Sequence, residues 1–171
     1  MSTKIIMITG GQRSGKSRMA ERMVQEMSAS PVYVATTRVW DDELRRRVEA
    51  HRLRRGPEWT TYEEPLDVAS LPLTCDDTVL FDCVTMWATN LFFECGEDAG
   101  KALEHMKSQL DVLCPKCRNI VFVTNEIGLG GVSENAMQRQ FTDLQGSINQ
   151  HIASLADEVY MTVSGIALRI K

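Results

Sequence analysis

The chain has 171 residues and lacks most of the signals that would set it outside the ordinary globular class. No apolar run reaches membrane-spanning length; the best candidate, residues 79–93, is interrupted by Asp82, Thr85, Thr89 and Asn90. There is no excess of positive charge. Nineteen Lys and Arg stand against 23 Asp and Glu, and the net charge of −4 gives no reason to expect nucleic acid or an anionic membrane as partner. Internal repeats, linkers and low-complexity stretches are missing, so one domain over residues 1–171 is expected, large enough to bury a core without staples. The opening apolar run, Ile5 to Ile8, is far too short for a cleavable signal. The five cysteines are odd in number and irregular in spacing, and are expected as reduced thiols in a cytoplasm. Cys114-Pro-Lys-Cys117 lacks the second pair or spaced histidines that a zinc site needs, and as a redox pair it is a weak pattern.

What is present is ordinary in bulk, with 43% hydrophobic and 25% charged residues, and informative in order. Compact apolar runs at 4–9, 32–35, 78–81 and 119–123 read as buried strands. A short strand is expected at 59–62. Helical patterns cover 17–27, 41–55, 84–94, 99–113 and 135–155. In the second of these, Leu44, Val48 and His51 share a face, Asp41 or Asp42 caps the start, and Gly56-Pro57 ends it. Two last strands, 158–163 and 166–170, are joined at Ser164-Gly165, a plausible two-residue hairpin turn. Alternating strands and helices predict an α/β fold, a mostly parallel sheet flanked by helices with an antiparallel C-terminal edge.

Gly10-Gly11-Gln12-Arg13-Ser14-Gly15-Lys16-Ser17 fits the phosphate-loop pattern G-x-x-x-x-G-K-[ST], immediately after a strand and opening a helix. Such a loop turns successive backbone N–H groups toward a polyphosphate, aided by the positive end of the helix. Lys16 would reach the β- and γ-phosphates and Ser17 would hold Mg²⁺. Asp82 closes the strand at 78–81, where a second Mg²⁺-holding acid belongs; it also suits a helix cap. The pattern predicts a P-loop NTPase-like, Mg²⁺-dependent nucleotide binder. Thr124-Asn125-Glu126 stands where a guanine-reading Asn-Lys-x-Asp would fall, which argues against a switch GTPase.

Six arginines lie between positions 45 and 55: Arg45, Arg46, Arg47, Arg52, Arg54 and Arg55, with His51 among them. Arg47, His51 and Arg55 are spaced to line one side of a helix. Arginine forks suit phosphate oxygens, and a neutral histidine among them could attack phosphorus and hold a nucleotidyl group. A solvated basic face with His51 beside Leu44 and Val48 explains the same residues. His105 and His151 have no partner cluster and read as packing or surface residues.

The chain resembles the bifunctional adenosylcobinamide kinase / adenosylcobinamide-phosphate guanylyltransferase family of cobalamin biosynthesis over nearly its whole length. The resemblance rests on an ordered set: the run from Ile8 to Ser17, then Tyr33-Val-Ala-Thr-Thr37, Asp41-Asp-Glu-Leu44, and Arg47-Val-Glu-Ala-His51-Arg. It continues with Trp59 to Pro65, Asp82-Cys-Val-Thr85, Thr89-Asn90, Thr124 to Gly128, and Val132 to Asn135. The final blocks are Arg139 to Asp143, Gly146, Asn149-Gln150, Ala156 to Val159 and Gly165-Ile166. Ser133 stands where the family commonly has Pro, Ala167 replaces a frequent Pro, and Gly56-Pro57 sits where many members place Pro directly after Arg.

The resemblance implies a P-loop domain assembling as a homotrimer, with GTP and ATP as substrates and Mg²⁺ as cofactor. It implies phosphorylation of adenosylcobinamide, then transfer of GMP from GTP, through a GMP-histidine on His51, to adenosylcobinamide phosphate. Matched nucleotide-binding positions are Thr36, Thr37, Arg38, Arg52, Leu53, Arg54, Glu63 and Asp82, besides residues 10–17. The arginines flanking His51, Arg47 and Arg55 among them, are expected to clamp the triphosphate. Two other classes compete: a small P-loop kinase of another alcohol, and a non-enzymatic GTP-binding regulator. A DNA-dependent ATPase is disfavoured by the net charge of −4.

Overall fold

The computed structural model describes residues 2–171, the side chain of Arg47 excepted. Seven strands are β1 (Lys4–Gly10), β2 (Val32–Ala35), β3 (Thr60–Glu63), β4 (Thr78–Asp82), β5 (Asn119–Val123), β6 (Glu158–Val163) and β7 (Ile166–Arg169). Five α-helices are α1 (Lys16–Met27), α2 (Asp42–Leu53), α3 (Val84–Glu94), α4 (Ala99–Leu113) and α5 (Ala136–Leu155). The sheet order is β3-β2-β4-β5-β1-β6-β7, parallel from β3 to β6, with β7 antiparallel on the edge. The predicted fold class is the one observed, and each predicted strand and helix is present with its ends within two residues of those expected. Ser164 and Gly165 both have positive φ, 52° and 82°, as a two-residue hairpin turn of matching twist requires.

The strand period of two divides the core. Met7, Val79, Phe81, Ile120 and Phe122 face one side, under α3, α4 and α5. Ile6, Ile8, Leu80, Val121 and Val123 face the other, where Ala20 and Val24 of α1 cover them. The first cluster is aromatic at its centre. The Phe81 ring lies 5.4 Å from Trp87 and 5.3 Å from Phe122, tilted or edge-on as aromatic quadrupoles prefer.

The second helix departs from its prediction at one end. Asp41 caps the start, accepting from the Leu44 N–H at 2.7 Å. The helix stops at Leu53 and not at Arg55: Arg54 is its cap, and Arg55 turns back to donate its N–H to Arg52 O at 3.1 Å. Gly56-Pro57 then bars continuation. No described residue of α2 is buried; Leu44, Val48 and His51 form its half-buried face, as their spacing predicts. So α1 is welded to the sheet and α2 rests at the mouth of the strands.

A buried polar network fixes the exit of β5. Thr124 Oγ1 donates to Asn149 Oδ1 at 2.6 Å, and Gln145 Nε2 donates to Thr124 Oγ1 and Asn149 Oδ1. Asn149 Nδ2 donates to Asn125 O at 3.0 Å. The loop after β5 is thereby tied to α5 at the end of the sheet where strands and ligands meet. Removing one member leaves buried partners unpaired. Asn149→Ala should therefore lose about 2–3 kcal/mol of stability, read as a lower urea midpoint at unchanged slope.

All five cysteines are free. Among the described residues no group of His, Cys, Asp and Glu could hold a metal ion in a ligand cluster. Cys114 and Cys117 are buried, and burial pushes both thiols up to about 12. Cys75 is exposed. An alkylating reagent should label Cys75 in the folded protein, while Cys114 and Cys117 react only after denaturant is added, as read by peptide mass spectrometry.

Candidate functional site

The loop between β1 and α1 is held open by crowding. Gly10 has φ 147°, and a Cβ there would lie 2.4 Å from Thr162 O on β6. Gly15 has φ 101°, and its Cβ would meet Gly165 Cα at 3.2 Å. Any side chain at Gly10 would displace the loop from β6. Ser14 completes the seam: its Oγ pairs with Thr162 Oγ1 at 2.6 Å, and its carbonyl accepts from the Gly165 N–H at 2.9 Å. Lys16 is buried and folds across the loop, donating to Gly11 O at 2.5 Å with Ser14 Oγ at 3.5 Å. Burial lowers its pKa, and the nearby Cys83 and Asp82 oppose the shift.

The acid at the end of β4 sits across from that lysine. Asp82 Oδ2 accepts from the Tyr33 phenol at 3.0 Å. Burial and the Asp82 charge raise the Tyr33 pKa, so the phenol keeps its proton and stays a donor. Burial pushes the adjoining Cys83 thiol up to about 12, which disqualifies it as a nucleophile near neutral pH.

His51 comes to the same place from α2. Its Nδ1 lies 3.9 Å from Asp82 Oδ2, and Arg54 Nη2 is 3.0 Å from the same nitrogen. Guanidinium is donor-only, so Nδ1 accepts, and the proton of the neutral ring is on Nε2. Burial lowers the His51 pKa; Arg54 and Arg55 add to this and Asp82 and Glu21 oppose it. The imidazole is thus favoured neutral. Positive neighbours act in the same direction but rank below desolvation.

These groups line one open cleft of about 1850 Å³. Gln12, Arg13, Ser14, Gly15, Lys16 and Ser17 form its floor, Asp82 one wall, and His51, Arg52, Leu53 and Arg54 its roof. Thr37 and Glu63 reach it from the ends of β2 and β3. Gly10 and Gly11 act from behind through their carbonyls, which accept from the Glu126 N–H and from Lys16. Two matched positions stand apart. Thr36 is fully buried and exchanges hydrogen bonds with Cys83, its Oγ1 donating at 2.8 Å and accepting at 3.0 Å. It joins β2 to β4 rather than facing the cleft. Arg38 is exposed beyond the lining residues.

The expected arginine line resolves differently at each member. The Arg47 side chain lies outside the described residues. Arg55 has left the helix, and its guanidinium carbon sits 3.5 Å above the Tyr33 ring, a cation–π contact. Arg54, one residue earlier, takes the place beside His51 and also donates to Glu21 Oε1 at 3.1 Å. Sequence reasoning missed Tyr33 and Glu21. Tyr33 had a signal, since a phenol in an otherwise apolar buried strand needs a partner. Glu21 had none, because its contact joins residues 33 positions apart.

Solved structures with this backbone include a KaiC-like protein from Pyrococcus horikoshii OT3, at TM-score 0.51 and 15% identity, covering 92% of this chain and 71% of that one. An ATPase from the type III secretion system of pathogenic bacteria matches at TM-score 0.54 and 13% identity, covering 92% and 50%. At such identities the likeness shows the fold alone, that of the P-loop ATPases. Sequence relatives are closer. The bifunctional adenosylcobalamin biosynthesis protein CobU of Escherichia coli (strain K12) is 38% identical over 181 residues, covering 98% of this chain and 99% of that protein. The bifunctional adenosylcobalamin biosynthesis protein CobP of Pseudomonas aeruginosa is 37% identical, covering 96% of each. Residues 6–170 match the model of one family, and with this identity along the whole length the chain belongs to it: the cobinamide kinase / cobinamide phosphate guanyltransferase family, whose members are transferases.

Proposed function

We propose that this chain works as one domain, with a single nucleotide cleft serving two successive reactions on a corrinoid. In the first, the γ-phosphoryl group of ATP or GTP passes to the hydroxyl of the aminopropanol arm of adenosylcobinamide. In the second, GMP from GTP is carried on His51 to adenosylcobinamide phosphate, giving adenosylcobinamide-GDP. The observation that carries this reading is that His51, Lys16 and Asp82 line one cleft, with His51 Nδ1 3.9 Å from the carboxylate.

For the kinase step, Lys16 turns from Gly11 O to the β- and γ-phosphates, and the loop N–H groups neutralise developing charge. Ser17 and Asp82 line the cleft together. This hard-oxygen pair fits Mg²⁺ and offers nothing to a softer metal. When bound, the ion would supply charge neutralisation between phosphates. The chain's own residues bind and orient the polyphosphate around it.

For guanylyl transfer, a lone pair of the neutral imidazole forms a P–N bond to the α-phosphorus. The α–β P–O bond breaks, and pyrophosphate leaves with that electron pair. The proton on the second ring nitrogen then passes to solvent. As the structure stands, Arg54 covers Nδ1 and Nε2 carries the proton. An incoming triphosphate is the stronger acceptor for Arg54, and on drawing it away exposes the ring. Arg52 and Arg54 grip phosphate oxygens, while Thr37 and Glu63 extend the cleft toward ribose and base. The phosphate of the corrinoid substrate then attacks the GMP-histidine, and the P–N bond breaks with its electrons returning to His51 as the other ring nitrogen regains a proton from solvent.

Relatives named for cobalamin biosynthesis support the corrinoid substrate. Free thiols suit a cytoplasmic enzyme. The edge strand β7, with Ile166 and Leu168 exposed, suits the homotrimer that the resemblance implies.

The test is incubation of the protein with Mg²⁺ and α-³²P-GTP followed by a denaturing gel. An acid-labile label should appear on the wild type and be missing from His51→Ala. An unlabelled wild type that still binds GTP would overturn the guanylyl-transfer step.

A further inference from the structure

The proposed nucleophile is carried by the one α-helix that has no buried residue among those described. No described residue of α2 is buried, and His51 leaves 33% of its side chain exposed. Covalent attack on phosphorus needs the opposite, a ring held within a fraction of an ångström of its line of approach. Something outside α2 must supply that order.

Two contacts at its C-terminal end do so. Arg55 stacks on the Tyr33 ring of β2. Arg54 Nη2 bridges His51 Nδ1 at 3.0 Å and Glu21 Oε1 at 3.1 Å. Glu21 is well placed to act as an anchor. Its side chain is only 12% exposed, and it follows Ala20 on α1, which is fully buried against the sheet. The helix that begins at the phosphate loop therefore also fixes, through Glu21, the group that sits beside the nucleophile.

We propose that Glu21 is a positioning residue for guanylyl transfer: through Arg54 it seats the end of α2, and with it His51, over the phosphate loop. The proposal rests on the functional reading above. Glu21 is not among the residues that line the cleft. Its carboxylate holds one N–H of Arg54 and leaves the rest of the fork for His51 and then for phosphate oxygens. Charge retention at this point also keeps Arg54 from following the triphosphate out of the cleft. A partly exposed ion pair adds little to global stability, so folding is not what Glu21 provides. The kinase step uses Lys16 and the loop and has no need of His51, so the two activities of one preparation report on position and on integrity separately.

The experiment compares full-length Glu21→Gln with the wild type in two assays, both with Mg²⁺. One follows protein-bound label from α-³²P-GTP; the other follows transfer from γ-³²P-ATP to adenosylcobinamide. The label should form about ten- to a hundredfold more slowly in the variant, while the kinase rate is unchanged. Label formation at the wild-type rate or faster would overturn the proposal, and so would an equal loss of both activities, which marks a structural role. A wild type that takes up no label would overturn the functional reading and this proposal with it; a labelled wild type with an equally labelled variant overturns the role of Glu21 alone.

Discussion

The closeness of the phosphate loop to the β6–β7 turn is the constraint on which the rest of the site depends. The backbone of Gly10 lies where a single added carbon would meet Thr162 O at 2.4 Å, and Ser14 is tied to Thr162 and Gly165. The loop is therefore shaped by strands that are distant in sequence. Preorganisation of this kind is what lets backbone N–H groups stabilise phosphate charge without first rearranging. The antiparallel hairpin at the C-terminus thus buttresses the phosphate loop, although it carries no reactive group.

Against this fixed floor the roof is held by a few polar contacts. Asp82 is the meeting point. It accepts from Tyr33, faces His51, and lies close enough to Lys16 to raise that group's pKa against burial. Tyr33 in turn supports Arg55. The division suits the proposal that two reactions share one cleft. On the proposed reading the kinase step uses the half of the cleft built on the sheet, and guanylyl transfer adds a histidine carried by the more exposed half.

Much of this was legible in the sequence because the informative patterns are local. Apolar runs of four to six residues mark the parallel strands, and the spacing of Leu44, Val48 and His51 marks the inward side of α2. The phosphate loop is one continuous segment. What sequence could not give was pairing across distance. Glu21 and Arg54 look like members of separate charged helix faces, and their contact depends on where α2 ends. That end was misread by two residues, since Arg54 and Arg55 continue the helical charge pattern but serve as cap and stacking group. Thr36 matched a nucleotide-binding position, yet its burial gives it the task of joining β2 to β4.

The central claim is that one cleft, floored by the phosphate loop and roofed by α2, receives the nucleotide for both reactions. Calorimetric titration of the wild type with α,β-methylene GTP, which cannot lose pyrophosphate, tests it directly. One nucleotide per chain is expected, displaced competitively by a non-hydrolysable ATP analogue. Two independent sites per chain, or simultaneous binding of both analogues, would contradict it.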